Sequence, residues 1–166
     1  MIDAYIALGG NLVGTLQAMQ QVVAQLKGIQ GIEKLTSSRL YRTSPVSRVP
    51  QPDYLNAVCR FQTSLSLENL WQSLQFLELE MGKKSKPKES PRLIDIDLLF
   101  YGKETRVSND LIVPHSRWKE RLFVLTPLAD VTDIAPTGEQ IQKILKGFGN
   151  HHQEKVSLMK ERLLDA

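Results

Sequence analysis

The segment Leu93-Ile94-Asp95-Ile96-Asp97-Leu98-Leu99-Phe100-Tyr101 constrains this chain more than any other. It reads as a buried strand, and successive strand side chains turn to opposite faces. Asp95 and Asp97 therefore share one face, with Leu93 beside them, while Ile94, Ile96 and Leu98 face a core. Two carboxylates about 6–7 Å apart along a strand repel each other unless a cation lies between them. Arg92 supplies one positive charge just upstream, and a divalent metal is the stronger answer. Hard carboxylate oxygens suit Mg²⁺, which keeps several waters and bridges to phosphate oxygens.

Charge is gathered at the same place. Lys83, Lys84, Lys86, Lys88 and Arg92 come immediately before the two aspartates, which suits a polyanion such as a nucleoside triphosphate. For the lysines alone, a solvated basic loop is the competing reading. A net charge of only +3 argues against a nucleic-acid binder. The lone cysteine, Cys59, lies in an apolar run and reads as core, so neither a disulfide nor a cysteine-held zinc is expected. No Gly-x-Ser-x-Gly elbow is present, and nothing suggests covalent catalysis. The N-terminus lacks a basic leader, and no apolar run reaches the roughly 18 residues of a membrane span. A cytoplasmic, monomeric, single domain over residues 1–166 is the expectation.

Along the chain, Ile2–Leu8 alternates as a strand and closes on Gly9-Gly10-Asn11, which no Gly-Lys-Ser/Thr follows, so it is not a P-loop. Thr15 is expected to cap a helix with the stripe Leu16, Met19, Val22, Val23 and Leu26, stopped by Gly28. Residues 33–43 read as one strand. Pro45, Pro50 and Pro52 then stiffen a loop from Thr43 to Asp53. Tyr54–Thr63 is a strand on which Tyr54 and Asn56 share a face opposite Ala57, Cys59 and Phe61. Ser66 caps a second helix with Leu67, Leu70, Trp71, Leu74, Leu77 and Met81 inward, and Gln75 and Glu78 are surface neighbours on it. After the strand of the two aspartates, residues 103–110 form a polar turn and Val113-Pro114-His115 leads to a helix over Leu122–Val131. Pro127 either kinks or breaks that helix. A short helix is expected near Glu139–Lys146, and Gln153–Leu164 reads as an amphipathic helical tail within residues 150–166. The order β-α-β-β-α-β with appended C-terminal helices predicts an α+β, ferredoxin-like sandwich with α/β/α layers.

Several blocks carry a family resemblance. Pro91-Arg92-x-x-Asp95-Ile96-Asp97-Leu98-Leu99 closely resembles the signature of the 6-hydroxymethyl-7,8-dihydropterin pyrophosphokinases of folate biosynthesis. The likeness runs through residues 3–138. Ala4–Leu12, Ser38–Thr43, Gln51–Ala57, Val113-Pro114-His115 and Arg121–Leu128 are similar to the family's other blocks in the same order.

The resemblance implies transfer of the β,γ-pyrophosphoryl group of ATP to the dihydropterin hydroxymethyl oxygen, releasing AMP. A non-enzymatic paralogue binding pterin or nucleotide is the alternative. Asp95 and Asp97 would hold two Mg²⁺ ions, and Arg92 would be catalytic with them. Lys83, Arg92, His115 and Arg121 would hold phosphates, while Gln75, Glu78 and the main chain at Leu98 would lie on the nucleotide side. Thr43, Ser44, Val46 and Asn56 would bond the pterin edge, and Tyr54 and Phe123 would sandwich its ring. The sequence departs from the family where Arg-Trp-Gly-Pro-Arg becomes Lys88-Glu89-Ser90-Pro91-Arg92, so Glu89 replaces a loop-closing tryptophan. Asp110 and Ser116 likewise stand where some members carry a nucleotide-contacting arginine and tyrosine.

Overall fold

The computed structural model describes residues 1–45, 50–82, 93–149 and 155–164. Alternation builds its first strand, β1 (Ile2–Gly10), in which Ala4, Ile6 and Leu8 bury on one face and Tyr5 on the other. Helix α1 (Thr15–Lys27) follows, then β2 (Ile32–Ser37), β3 (Tyr41–Thr43), β4 (Tyr54–Thr63) and α2 (Leu67–Glu80). Next come β5 (Asp95–Tyr101), a small hairpin of β6 (Arg106–Val107) and β7 (Ile112–Val113), α3 (Leu122–Val131), α4 (Ile141–Lys146) and β8 (Val156–Leu158). Among the described residues this is an α+β fold of four α-helices around an antiparallel sheet.

The sheet runs β5-β1-β4-β3-β8, with β2 also paired to β4. Helices α1 and α2 cover one face through Met19, Val22, Leu70 and Leu74. The other face packs Val124, Leu125 and Leu128 of α3, Ile141 of α4, and Trp118. Cys59 is fully buried, and burial pushes its thiol up to about 12, as befits a core residue. No helix among the described residues is long and apolar enough to cross a membrane.

Several sequence expectations need correction. The strand expected over 33–43 is two strands, because Ser37 pairs with Cys59 but Tyr41 with Asn56. Four steps on one chain meet three on the other, and Ser38 fills the break by donating its N–H to Val58 O and accepting the Val58 N–H on its hydroxyl. The tail at 156–158 is a strand on β3, not a helix. Short apolar spacing does not separate the two forms, and β3 offers an edge of unpaired backbone that Val156–Leu158 satisfies. Met159 continues the contact by donating its N–H to Leu40 O, and Leu163 buries in the core.

Thr15 begins α1 but does not cap it, since left-handed Gly14 stands at that position. Its hydroxyl accepts the Leu12 N–H and donates to Leu93 O at 2.7 Å, which ties the helix start to the approach to β5. Leu93 packs with the α1 and α2 cluster and not beside the aspartates, because β5 begins only at Asp95. The polar 103–110 region contains β6. Pro127 sits inside α3 without ending it. Ser66 caps α2 as expected, accepting the Asn69 N–H at 3.1 Å.

Candidate active site

Sheet register brings the predicted residues together. Residues directly opposite on antiparallel strands share a face. Asp95 of β5 lies opposite Gly9 of β1, and Gly9 lies opposite Asn56 of β4, which in turn pairs with Tyr41 of β3. In the next row Asp97 lies opposite Ala7, and Ala7 opposite Val58. This is the α3 side of the sheet, where Tyr5, Val58 and Leu99 meet Val124 and Leu128. Between the acids and the amide stand only a glycine and an alanine, so the sheet floor is low there. A methyl group at Gly9 would come within 3.0 Å of Asn56 Oδ1.

The amide end is closely held. Asn56, buried to 6 % exposure, donates from Nδ2 to Thr43 Oγ1 at 2.7 Å. Tyr54 pairs with Thr43 across the strands, and its hydroxyl donates to Gln51 Oε1 at 3.2 Å. Gln51 Oε1 also accepts from Asn11 Nδ2 at 2.7 Å, and Asn11 itself is buried. Asn11 and Gln51 carry no site role in the sequence reading. They lie 40 residues apart, and the fold brings Asn11 to Gln51, which stands only three residues from Tyr54. Ser44 donates its N–H to Lys155 O at 3.1 Å and accepts the Lys155 N–H at 3.2 Å. Lys155, just before the tail strand, therefore takes up the Ser44 N–H and hydroxyl.

A bulge in β5 sets the histidine. Tyr5 pairs with Phe100 but Ile6 with Leu98, so Leu99 is an extra residue on β5. Its carbonyl accepts the His115 N–H at 2.9 Å, two residues past Asp97. His115 follows the cis Val113–Pro114 bond, and its Nδ1 accepts the Arg117 N–H at 3.1 Å. Burial, then the positive Arg121 and Arg117, lowers its pKa below the usual 6.5. The ring is thus neutral at pH 7, with Nε2–H as its donor. Arg121 opens α3 and rides over the Phe123 ring at 5.5 Å, so this cation and this ring sit together.

Glu78 is buried to 6 % exposure, and its Oε2 accepts the Ile96 N–H at 3.0 Å, between the two aspartates. Gln75 is exposed on α2, and the Leu98 side chain is core, so only main chain is on offer at Leu98. Lys83, Val46, Arg92 and Glu89 lie outside the described residues. Among the described residues no three His, Cys, Asp or Glu side chains gather closely enough to hold a metal by themselves. Two half-buried aspartates on one strand face are a donor set that fits Mg²⁺, which takes one or two carboxylates and fills its shell with water and phosphate.

The family model described as 7,8-dihydro-6-hydroxymethylpterin-pyrophosphokinase (HPPK) matches residues 5–133. The 2-amino-4-hydroxy-6-hydroxymethyldihydropteridine pyrophosphokinase of Haemophilus influenzae is 32% identical over 159 residues, covering 95% of this chain and 99% of that protein. The Bacillus subtilis protein of the same name is 38% identical over 128 residues, 77% of each chain. The Folic acid synthesis protein fol1 of Pneumocystis carinii is 41% identical over 128 residues, but this chain spans only 17% of its length. Among solved structures, a Plasmodium falciparum HPPK-DHPS triple mutant superposes over 89% of this chain and 43% of its own, with TM-score 0.69 and 12% identity, a likeness of fold.

Proposed function

The chain belongs to the 7,8-dihydro-6-hydroxymethylpterin-pyrophosphokinase family and is a transferase of folate biosynthesis, and from that premise we propose how its residues divide the work. Asp95, Asp97, His115 and Arg121, with Arg92 and Lys83 from the neighbouring loop, take ATP. Thr43, Asn56, Tyr54 and Phe123 take the dihydropterin, with Ser44 offering its carbonyl, since its N–H is bonded to Lys155 O, and Val46 its backbone. The observation that carries this is the single row Asp95, Gly9, Asn56 across β5, β1 and β4. It supports the reading because Asp95 and Asn56 share one face, separated by a residue without a side chain.

In the reaction, the hydroxymethyl oxygen attacks the β-phosphorus of ATP, the bond from that phosphorus to the bridging α-oxygen breaks, AMP leaves, and the hydroxyl proton passes to water. Positioning and charge neutralisation carry most of the rate in such transfers. Asn56 and Thr43 fix the pterin edge through their mutual hydrogen bond, while Tyr54 and Phe123 hold the flat ring. His115, with Nδ1 held by the Arg117 N–H, donates from Nε2 to a phosphate oxygen, and Arg121 supplies a fixed positive charge next to the Phe123 ring. Mg²⁺ held at Asp95 and Asp97, as two ions by the family pattern, would neutralise triphosphate charge when bound. Gln75 and the Leu98 main chain are placed on the nucleotide side. The sheet order β5-β1-β4-β3, with α1 and α2 together on one face and α3 and α4 on the other, supports the ferredoxin-like, α/β/α layered reading.

The test is product analysis with ATP, Mg²⁺ and 6-hydroxymethyl-7,8-dihydropterin. One AMP should form for each pterin diphosphate. AMP no higher than in a pterin-free control would contradict the proposal and favour a binding-only paralogue.

A further inference from the structure

Helix α2 buries Leu67, Leu70, Leu74 and Leu77, and it buries a carboxylate with them, Glu78. An apolar side chain would enter that core at no desolvation cost, whereas a carboxylate there needs strong hydrogen bonds to compensate. The bond it makes is to a particular amide. Strand β5 ends the sheet order, so alternate N–H groups along its outer side have no strand to meet. The Ile96 side chain is 2 % exposed, and its N–H donates to Glu78 Oε2 at 3.0 Å. Glu78 therefore satisfies a main-chain donor that water reaches poorly.

Ile96 is the one residue between Asp95 and Asp97, so its backbone angles set how the two carboxylates project relative to each other. Support from β1 is regular from Asp95 to Leu98, and the β1–β5 register then slips between Ile6 and Tyr5, at Leu99 of β5. A bulge two residues beyond Asp97 would loosen the pair unless something held the strand on its other side. We infer that Glu78 is a positioning residue: from α2 it clamps the Ile96 amide and so fixes the spacing and direction of Asp95 and Asp97. This differs from the nucleotide contact that the resemblance assigns to Glu78, and it rests on the reading of the two aspartates as the metal-holding pair. Its Oε2 is spent on the strand and approaches β5 from the α2 side, whereas the aspartates stand on the α3 face.

The test compares Glu78→Met, which keeps the volume and loses the acceptor, with Glu78→Gln, which keeps an acceptor and loses the charge. Amide hydrogen exchange at Ile96 is read in the whole protein, with Val58 and Phe61 of β4 as internal controls of folding. In Glu78→Met, Ile96 should exchange at least tenfold faster relative to those controls. The Mg²⁺ needed to half-saturate binding of α,β-methylene-ATP, followed by calorimetry, should rise about tenfold, the usual scale for losing a supporting group behind a metal ligand. Glu78→Gln should recover most of both. Unchanged exchange or unchanged Mg²⁺ demand in Glu78→Met overturns the inference, and so does a Gln variant as damaged as Met, which would make the charge itself the active feature. Failure of the aspartate reading shows separately: Asp97→Ala would then leave the Mg²⁺ demand unaltered, while exchange at Ile96 still decides whether Glu78 holds the strand.

Discussion

At the residue scale, Gly9 does as much for the site as the groups that carry charge. A methyl there would press on Asn56 Oδ1 at 3.0 Å and on Leu55 O at 3.3 Å, and neither neighbour is the end of a long flexible chain. Gly9→Ala should therefore tilt Asn56 away from Thr43 and raise KM for the dihydropterin about tenfold, the scale of one misaligned hydrogen bond to a bound ligand. KM for ATP should stay near normal in the same steady-state assay, and an equal change in both would refute the assignment. His115 gives a pH prediction. In the unfolded chain it takes up a proton near 6.5, and in the folded protein only at lower pH. Between those two values the unfolded state holds more protons, so stability falls as pH is lowered through that window and does not depend on this residue above it. Urea midpoints measured from pH 7.5 down to pH 5 should drop less in His115→Gln than in the parent protein.

At the element scale, α3 and the tail strand frame β3. Asp130 at the end of α3 pairs bidentately with Arg39, at 2.9 and 3.2 Å, and accepts the Tyr41 hydroxyl at 2.8 Å. Burial, aided by that carboxylate, pushes the Tyr41 phenol up to about 12. The Arg60 guanidinium donates to Val131 O, favourable for a helix C-terminus. These ties join residues 71 to 91 positions apart, which is why local periodicity gives no hint of them. Periodicity did reveal the two-carboxylate strand, the Ser66 cap and the faces of α1 and α2, because each depends on neighbours within one or two turns. It misled at Val156, Met159 and Leu163, whose spacing suits a helix, while the open edge of β3 recruited the segment as a strand. Deleting residues 155–166 should free Ser44 from Lys155 and expose that edge. KM for the dihydropterin should rise several-fold more than KM for ATP. The melting temperature should also fall by several degrees, since burial of Leu163 alone is worth about 2 kcal/mol. A truncated protein with parental kinetics would assign the tail to stability only.

At the scale of the whole molecule, one sheet serves two cores and leaves its working surface at one end. β4 is the hub, pairing with β1, β2 and β3, and it carries Tyr54 and Asn56 at the site end and Phe61 and Thr63 in the interior. Because β1 lies between β4 and β5, the distance from Asn56 to the carboxylates is set by strand spacing, roughly 5 Å per strand. That spacing was not legible in the sequence, where Asp95 and Asn56 are simply two strand residues far apart in the chain. Their motifs pointed to the two halves of a site, and only the antiparallel register joins them. The most direct measurement of that union is a single-turnover reaction of Asp97→Ala with bound dihydropterin and Mg²⁺-ATP. The dihydropterin should bind with near-parental affinity, while AMP formation slows by about 10³-fold or more, the several kcal/mol expected when a metal's charge stabilisation is lost. AMP formed at the parental rate would contradict the placement of the transfer at this end of the sheet.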